Sequence, residues 1–205
     1  AITLVAVVYD RMSIPLGIVY MIAQLIGAML AALVLYAMFA EAILEFERQR
    51  GLLRGGPGSE LSAMMFGEYF PNPAVFGTDE TAWRVVSEKR AFIAEMVGTA
   101  VLAFMVGALT SAKNMARPPA GITAIIIGIT VAGIISIVAP LTQAALNPAR
   151  DLGPRIVSFY LGWGEIAIPG PRGGWLTVYV FAPFLGALIG GGIQRLLARY
   201  APDAD

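Results

Sequence analysis

The sequence predicts an all-α membrane protein: four full transmembrane helices and two short re-entrant half-helices, forming one domain over 1–205. Three observations carry that expectation. Of 205 residues, 58% are hydrophobic and only 14% charged, with a mean hydropathy of +0.74, well to the apolar side of soluble globular chains. Four stretches are apolar enough and long enough to cross about 30 Å of hydrocarbon, which takes roughly 20 helical residues. Two further segments are too short to span, one apolar over Ala1 to Tyr9 and one that carries three charges and opens on Asn147-Pro148, a helix-start signal.

In chain order, Ala1 to Tyr9 is apolar but short and reads as the first half-helix. Met12 to Ala40 contains no charge and predicts a span over Ser13 to Ala40. Residues 41–90 hold half of all charged residues, and Gly55-Gly56-Pro57-Gly58 interrupts any continuous helix there, so this segment reads as a long extramembrane loop. The second span runs from Ala91 to Ala112, interrupted once by Glu95 and closed by Lys113. The third covers Gly121 to Val138, introduced by Pro118-Pro119 and broken by Ala139-Pro140. Asn147 to about Phe159 forms the second half-helix. Gly173 to Gln194 supplies the fourth span, starting at Trp175, carrying Pro183 and Gly186, and ending before Arg195 and Arg199.

The charges at span ends set an orientation. Lys113 and Arg117 lie between spans two and three, Arg195 and Arg199 follow span four, and Asp10-Arg11 precedes span one. Basic residues in short loops mark the cytoplasmic side, which places the C-terminus inside and the 41–90 loop outside, and suggests a multi-pass protein of the plasma membrane. Fourteen basic and fourteen acidic residues cancel, leaving no electrostatic footprint for nucleic acid. With neither cysteine nor histidine, thiolate nucleophiles, imidazole bases and soft metal ligands are all missing; no enzyme, cofactor or metal is expected.

The first N–H groups of a short helix at membrane depth have no partner in lipid, so such ends are tolerated where protein or a watery cavity surrounds them. In Thr142-Gln143-Ala144-Ala145-Leu146-Asn147-Pro148-Ala149-Arg150, Asn147 is a good N-cap and Pro148 a good first helical residue. The helix dipole adds roughly half a positive charge at that end, and Arg150 adds a full one. Cations and protons are repelled from such a site, while the Asn147 amide can donate to a passing hydroxyl. A capped re-entrant turn with no transport role fits the same physics.

Asn147-Pro148-Ala149-Arg150 resembles the second signature of the major intrinsic proteins, the aquaporin and glycerol-facilitator channels, and the resemblance covers essentially the whole chain. It implies an aquaporin-like inverted-repeat bundle and a homotetramer in the bilayer. Ala1-Ile2-Thr3-Leu4 is similar to the residues after the first Asn-Pro of that family, Gln24, Gly27 and Ala28 to its third helix, and Glu95 to its fourth-helix glutamate. On this likeness two helices and the first pore asparagine, about 60–70 residues, are expected ahead of Ala1. The family's constriction implies pore roles for Arg150, Ala144 and Ile135, with the carbonyls of Gln143, Ala144 and Ala145 facing solute. Water-selective members usually have histidine at the place of Ile135; Ala, Ile and Arg together resemble channels that pass glycerol and other small neutral solutes.

Asp151 directly after Arg150, Arg155 four residues on, Pro183, and Phe70 ahead of Pro71-Asn72-Pro73 resemble the glycerol-conducting branch; Phe184 departs from its usual leucine. Pro71-Asn72-Pro73-Ala74 repeats the Asn-Pro-Ala triplet, but in a charged loop and followed by Gly77-Thr78-Asp79-Glu80, so it reads as loop and not as the first pore motif. Asp151 and Arg155 also form a modest i,i+4 pair on any helix. Glu95 reads as an acceptor for loop N–H groups or as a proton-coupling site, and Gln143 stands where the family commonly has glycine, which leaves its role open. Trp163 and Trp175 read as interfacial anchors, and Gly186 and Gly190 as a packing face. The expected function is a passive channel for glycerol and water that excludes ions. The alternatives are a strictly water-selective channel and a secondary transporter with broken helices, for which Glu95 is the one charged residue inside the spans.

Overall fold

The computed structural model describes residues 1–10 and 12–200, leaving Arg11, one of the charges used for orientation, outside. The described chain is helical: α1 (Ile2–Tyr9), α2 (Ile14–Arg50), α3 (Glu60–Ala63), α4 (Pro73–Phe76), α5 (Glu80–Val85), α6 (Glu88–Thr110), α7 (Ala120–Thr142), α8 (Pro148–Ser158) and α9 (Ala182–Tyr200). A wider turn over Thr177–Phe181 runs into α9 without a break. By length and composition, α2, α6, α7 and Thr177–Tyr200 can each cross a membrane.

Several boundaries differ from the sequence expectation: α6 begins at Glu88 and ends at Thr110, and α9 continues past Gln194 to Tyr200. Helix α2 continues past Ala40 to Arg50, so residues 41–50 are helix and not loop. Charge does not end a helix. Glu45 accepts from both Arg48 and Gln49 at 2.8 Å, local pairs that favour it, and the stop comes at Gly51, which takes the left-handed conformation (φ 63°) and donates its N–H back to Arg48 O. Helix α7 likewise runs through Pro140 to Thr142. A proline so close to the C-terminus removes one intrahelical bond without displacing a following turn.

The bundle is assembled on glycines. A Cβ at Gly190 would lie 1.9 Å from Ala100 O, and one at Gly186 2.1 Å from Met96 O, so α6 and α9 touch backbone to backbone in the small-residue manner of membrane helices. Gly153 does the same for α8 against α2, where an added Cβ would stand 2.7 Å from Ala28 Cβ. Helix α1 docks on α9: a Cβ at Gly191 would meet Val5 Cγ1 at 2.6 Å.

The segment 51–79 folds down on the end of the bundle where α2 stops. Glu47 receives Arg54 Nη2 at 2.8 Å and Ser62 Oγ at 2.7 Å, and Ser62 Oγ in turn accepts from Trp163 Nε1 at 2.9 Å. Trp163 is wholly buried against Phe66 and Tyr36, with the Arg54 guanidinium 4.2 Å above its ring. It is therefore a core residue and not an interfacial anchor; Trp175 is half-buried. Burial also pushes the Glu60 carboxyl above its ordinary range, despite hydrogen bonds from the backbone at Glu60 and Gly58. A carboxyl whose folded pKa is raised favours folding while neutral and disfavours it once charged. Glu60→Gln should therefore raise the melting temperature at pH 7, with the gain shrinking as pH falls toward 4; a gain independent of pH in detergent melts would show that burial of the charge is not the cause.

Candidate functional site

The link from α7 to α8 has an unusual backbone. Gln143, Ala144 and Leu146 have φ of 64°, 62° and 55°, three non-glycine residues in left-handed space within four positions, at a cost of about 1 kcal/mol or more each. Something must hold them there. Glu95, fully buried in α6, accepts from Thr142 Oγ1 at 2.5 Å, Ala145 N at 3.0 Å and Leu146 N at 2.8 Å. Gln143 N–H bonds to Ala139 O at 2.9 Å and Ala144 N–H to Thr142 Oγ1 at 3.3 Å. The N–H groups of the run are thus taken, and among the described residues no donor takes the carbonyls of Gln143, Ala144 or Ala145.

Glu95→Ala would orphan two buried N–H groups and a hydroxyl, each worth about 1–3 kcal/mol. The expected result is a loss of at least about 3 kcal/mol with a large fall in folded yield, and a smaller loss for Glu95→Gln, which keeps one acceptor; thermal unfolding in detergent measures both.

After this run Asn147 caps α8, accepting from Ala149 N–H at 3.2 Å, and Pro148 fills the first helical position. Asn147, Pro148 and Ala149 line a cavity of about 170 Å³ together with Ala1, Gln24 and Phe184. Gln24 Nε2 also donates to Thr3 Oγ1 at 2.9 Å, tying α2 to α1. The N-terminal end of α1 thus meets that of α8 across one space.

Arg150 does not line that cavity. Its side chain is half-exposed and forms an ion pair with Glu68, whose side chain is fully buried. Ile135 is 41% exposed on α7, whereas Ala144 is buried against Ile134 and Val138. Asp151 and Arg155 are buried together: Arg155 Nε and Nη2 reach the two carboxylate oxygens at 2.9 and 2.8 Å, Nη1 donates to Ala167 O at 2.8 Å, and Nη2 also to Glu68 O. Pro183 is buried in α9, and Phe70 packs on Tyr179 with the Arg172 guanidinium over its ring. Asn72 caps the single turn α4 and donates to Ala139 O at 2.9 Å, so the Asn72-Pro73-Ala74 triplet is a loop element braced on the end of α7.

The structure also brings in Glu68, Tyr69 and Arg172, which sequence reasoning passed over. Arg172 Nη1 donates to Phe70 O at 3.0 Å and Val86 O at 2.8 Å, and its own charge is disfavoured by burial. A lone acidic residue within Phe66-Gly67-Glu68-Tyr69-Phe70 was the available signal.

Four helices long and apolar enough to cross a membrane, with the starts of α1 and α8 lining one cavity, define a polytopic α-helical integral membrane protein. The family model for the major intrinsic proteins matches residues 1–194, and the chain belongs to that family. It is 38% identical over 187 residues to the glycerol uptake facilitator protein of Pseudomonas aeruginosa, covering 90% of this chain and 62% of that one. It is 32% identical to the glycerol uptake facilitator protein of Escherichia coli K12, covering 89% and 61%. With the propanediol uptake facilitator of Salmonella typhimurium it shares 36%, covering 86% and 62%. The chain thus spans a little over three fifths of the length of these relatives. The X-ray structure of the aquaglyceroporin from Plasmodium falciparum superposes with a TM-score of 0.76 at 18% identity, covering 97% of this chain and 73% of that one, a likeness of fold.

Proposed function

We propose that this chain is one channel domain providing a passive path for small uncharged solutes, glycerol with water, and that the path excludes ions and protons. The observation that carries the reading is the run from Gln143 to Leu146, left-handed at three of its four residues and with the carbonyls of Gln143, Ala144 and Ala145 unpaired, directly ahead of the Asn147 cap. Carbonyls, the Asn147 amide and the Arg150 guanidinium offer acceptors and donors in sequence to a hydroxylated solute, and Ile135 offers its carbon edge an apolar wall. A cation would have to shed its water for a guanidinium and the positive end of a helix. The relatives named for glycerol and propanediol uptake support the solute class.

In this reading α1 and α8 are the re-entrant half-helices of an inverted repeat, with Asn147, Pro148, Ala149 and Arg150 as the pore signature. Gln143, Ala144, Ala145 and Ile135 contribute to its wall, and Glu95 and Gln24 support it from behind. Asp151, Arg155, Pro183, Phe184 and Phe70 would mark the glycerol-conducting branch. The 51–79 segment faces outside and the C-terminus the cytoplasm of a cell whose plasma membrane holds the channel as a homotetramer. Stopped-flow light scattering on proteoliposomes tests the reading: glycerol and water should both move faster than in empty vesicles without energy input, while ion conductance stays at background. Fast water flux with glycerol flux no higher than in empty vesicles would overturn the glycerol assignment, and uptake requiring an ion gradient would favour a transporter.

A further inference from the structure

Gln143 ends α7 at φ 64°, a conformation that glycine adopts freely and a glutamine does not. Its side chain is absent from the wall of the Asn147 cavity. Instead Oε1 accepts from Tyr69 N–H at 2.8 Å and Nε2 donates to Met64 O at 3.2 Å. One partner is a donor and the other an acceptor, so the two contacts together fix which way the amide points. These contacts straddle Glu68. Glu68 N–H donates to Asp151 Oδ1 at 2.7 Å and its carbonyl accepts from Arg155, so the main chain around it is pinned on every side. Its carboxylate, buried, ends on the Arg150 guanidinium.

We propose that Gln143 is a positioning residue for solute selection: it latches the 64–69 segment to the carbonyl run, which holds Glu68 on Arg150 and thereby Arg150 in one place beside the path. The inference rests on the channel reading above. A guanidinium held in place presents its donors where a hydroxyl arrives; a swinging one must be ordered each time, and affinity for the partner falls accordingly. Glycerol, which has to align several hydroxyls, suffers more from that than water does. The strain of a left-handed glutamine is then the cost of carrying the latch at a position that belongs to the carbonyl run and touches the loop.

The test uses the full-length protein in proteoliposomes with four variants: Gln143→Gly, Gln143→Ala, Glu68→Gln and the double variant Gln143→Ala/Glu68→Gln. Glycine removes both the latch and the strain, while alanine removes the latch and keeps the strain. Both should lower the glycerol-to-water permeability ratio by roughly threefold or more, although Gln143→Gly should melt above Gln143→Ala. The double variant should fall little below Glu68→Gln alone, because both act through one contact. A ratio that follows melting temperature, so that Gln143→Gly behaves as wild type, would reduce Gln143 to a stability element and overturn the proposal. Additive losses in the double variant would overturn it too. Hydrogen–deuterium exchange separates this inference from the channel reading: residues 64–69 should exchange faster in both Gln143 variants even if wild type carries no glycerol, and wild-type protection there would refute the latch whatever solute passes.

Discussion

Gly190→Val is expected to split the α6–α9 seam and to lower stability by about 3 kcal/mol or more, the upper end for overpacking. The atom that a side chain at 190 would strike is a main-chain oxygen, Ala100 O, with Ala100 C 2.7 Å away. Neither can rotate aside as a side-chain tip could. The helices must separate, and in a membrane, where lipid is as apolar as leucine, close contact is itself the source of the attraction. Gly186→Ala should act in the same direction against Met96 O. Gly27→Ala serves as the control, since a Cβ there meets nothing within 4 Å; helix propensity gives it a change of up to about 1 kcal/mol in the favourable direction. Tryptophan-fluorescence melts in detergent measure all three, and a Gly190→Val protein that melts with Gly27→Ala would show that the seam is looser than described.

Asp151→Ala is expected to cost about 3–5 kcal/mol, because it leaves the Arg155 guanidinium buried without its counter-charge. Arg155 is 1% exposed and its remaining partners are neutral carbonyls and the faces of Tyr69 and Tyr179. The loss reaches beyond α8, since Asp151 Oδ1 also holds the Glu68 N–H. Removing both charges with Asp151→Ala/Arg155→Met should recover much of the stability, an apolar side chain being easier to bury than an unpaired cation. Size-exclusion profiles and melting temperatures of the two variants decide the matter: equal losses in single and double variants would locate the effect in lost volume, not in charge.

What could be read from the sequence was what one segment dictates by itself. Four spans are legible as length without charge, and the α8 start as Asn147-Pro148, because those signals are local. The acceptor reading of Glu95 follows from what lipid cannot offer the backbone, and two of its three hydrogen bonds come from loop N–H groups, those of Ala145 and Leu146. The misreadings share another cause. Residues 41–50 look like loop by charge, yet the helix ends only where Gly51 permits a left-handed turn. Trp163 has the composition of an interfacial residue, but burial against Phe66 and Ser62 is set by a segment a hundred positions away. Asp151 and Arg155 look like a modest helix pair by spacing; nothing in the spacing tells that the pair is fully enclosed. For the same reason Glu68 and Tyr69 were overlooked, since they join the site only through contacts with α7 and α8.

The docking of α1 on α9 has a consequence for how the chain is made. Val5 rests against Gly191, and Tyr9 Oη donates to Leu188 O at 3.2 Å across 179 residues of sequence. At about 5–20 residues per second, α1 leaves the ribosome roughly 10–35 s before its seat exists. Until α9 is synthesised, α1 lacks the surface on which Val5 packs, and the interval is time in which a chaperone or a protease can reach it. The arrival of α9 therefore acts as the step that seats α1, and lesions in α9 should be felt first as rapid turnover of nascent protein.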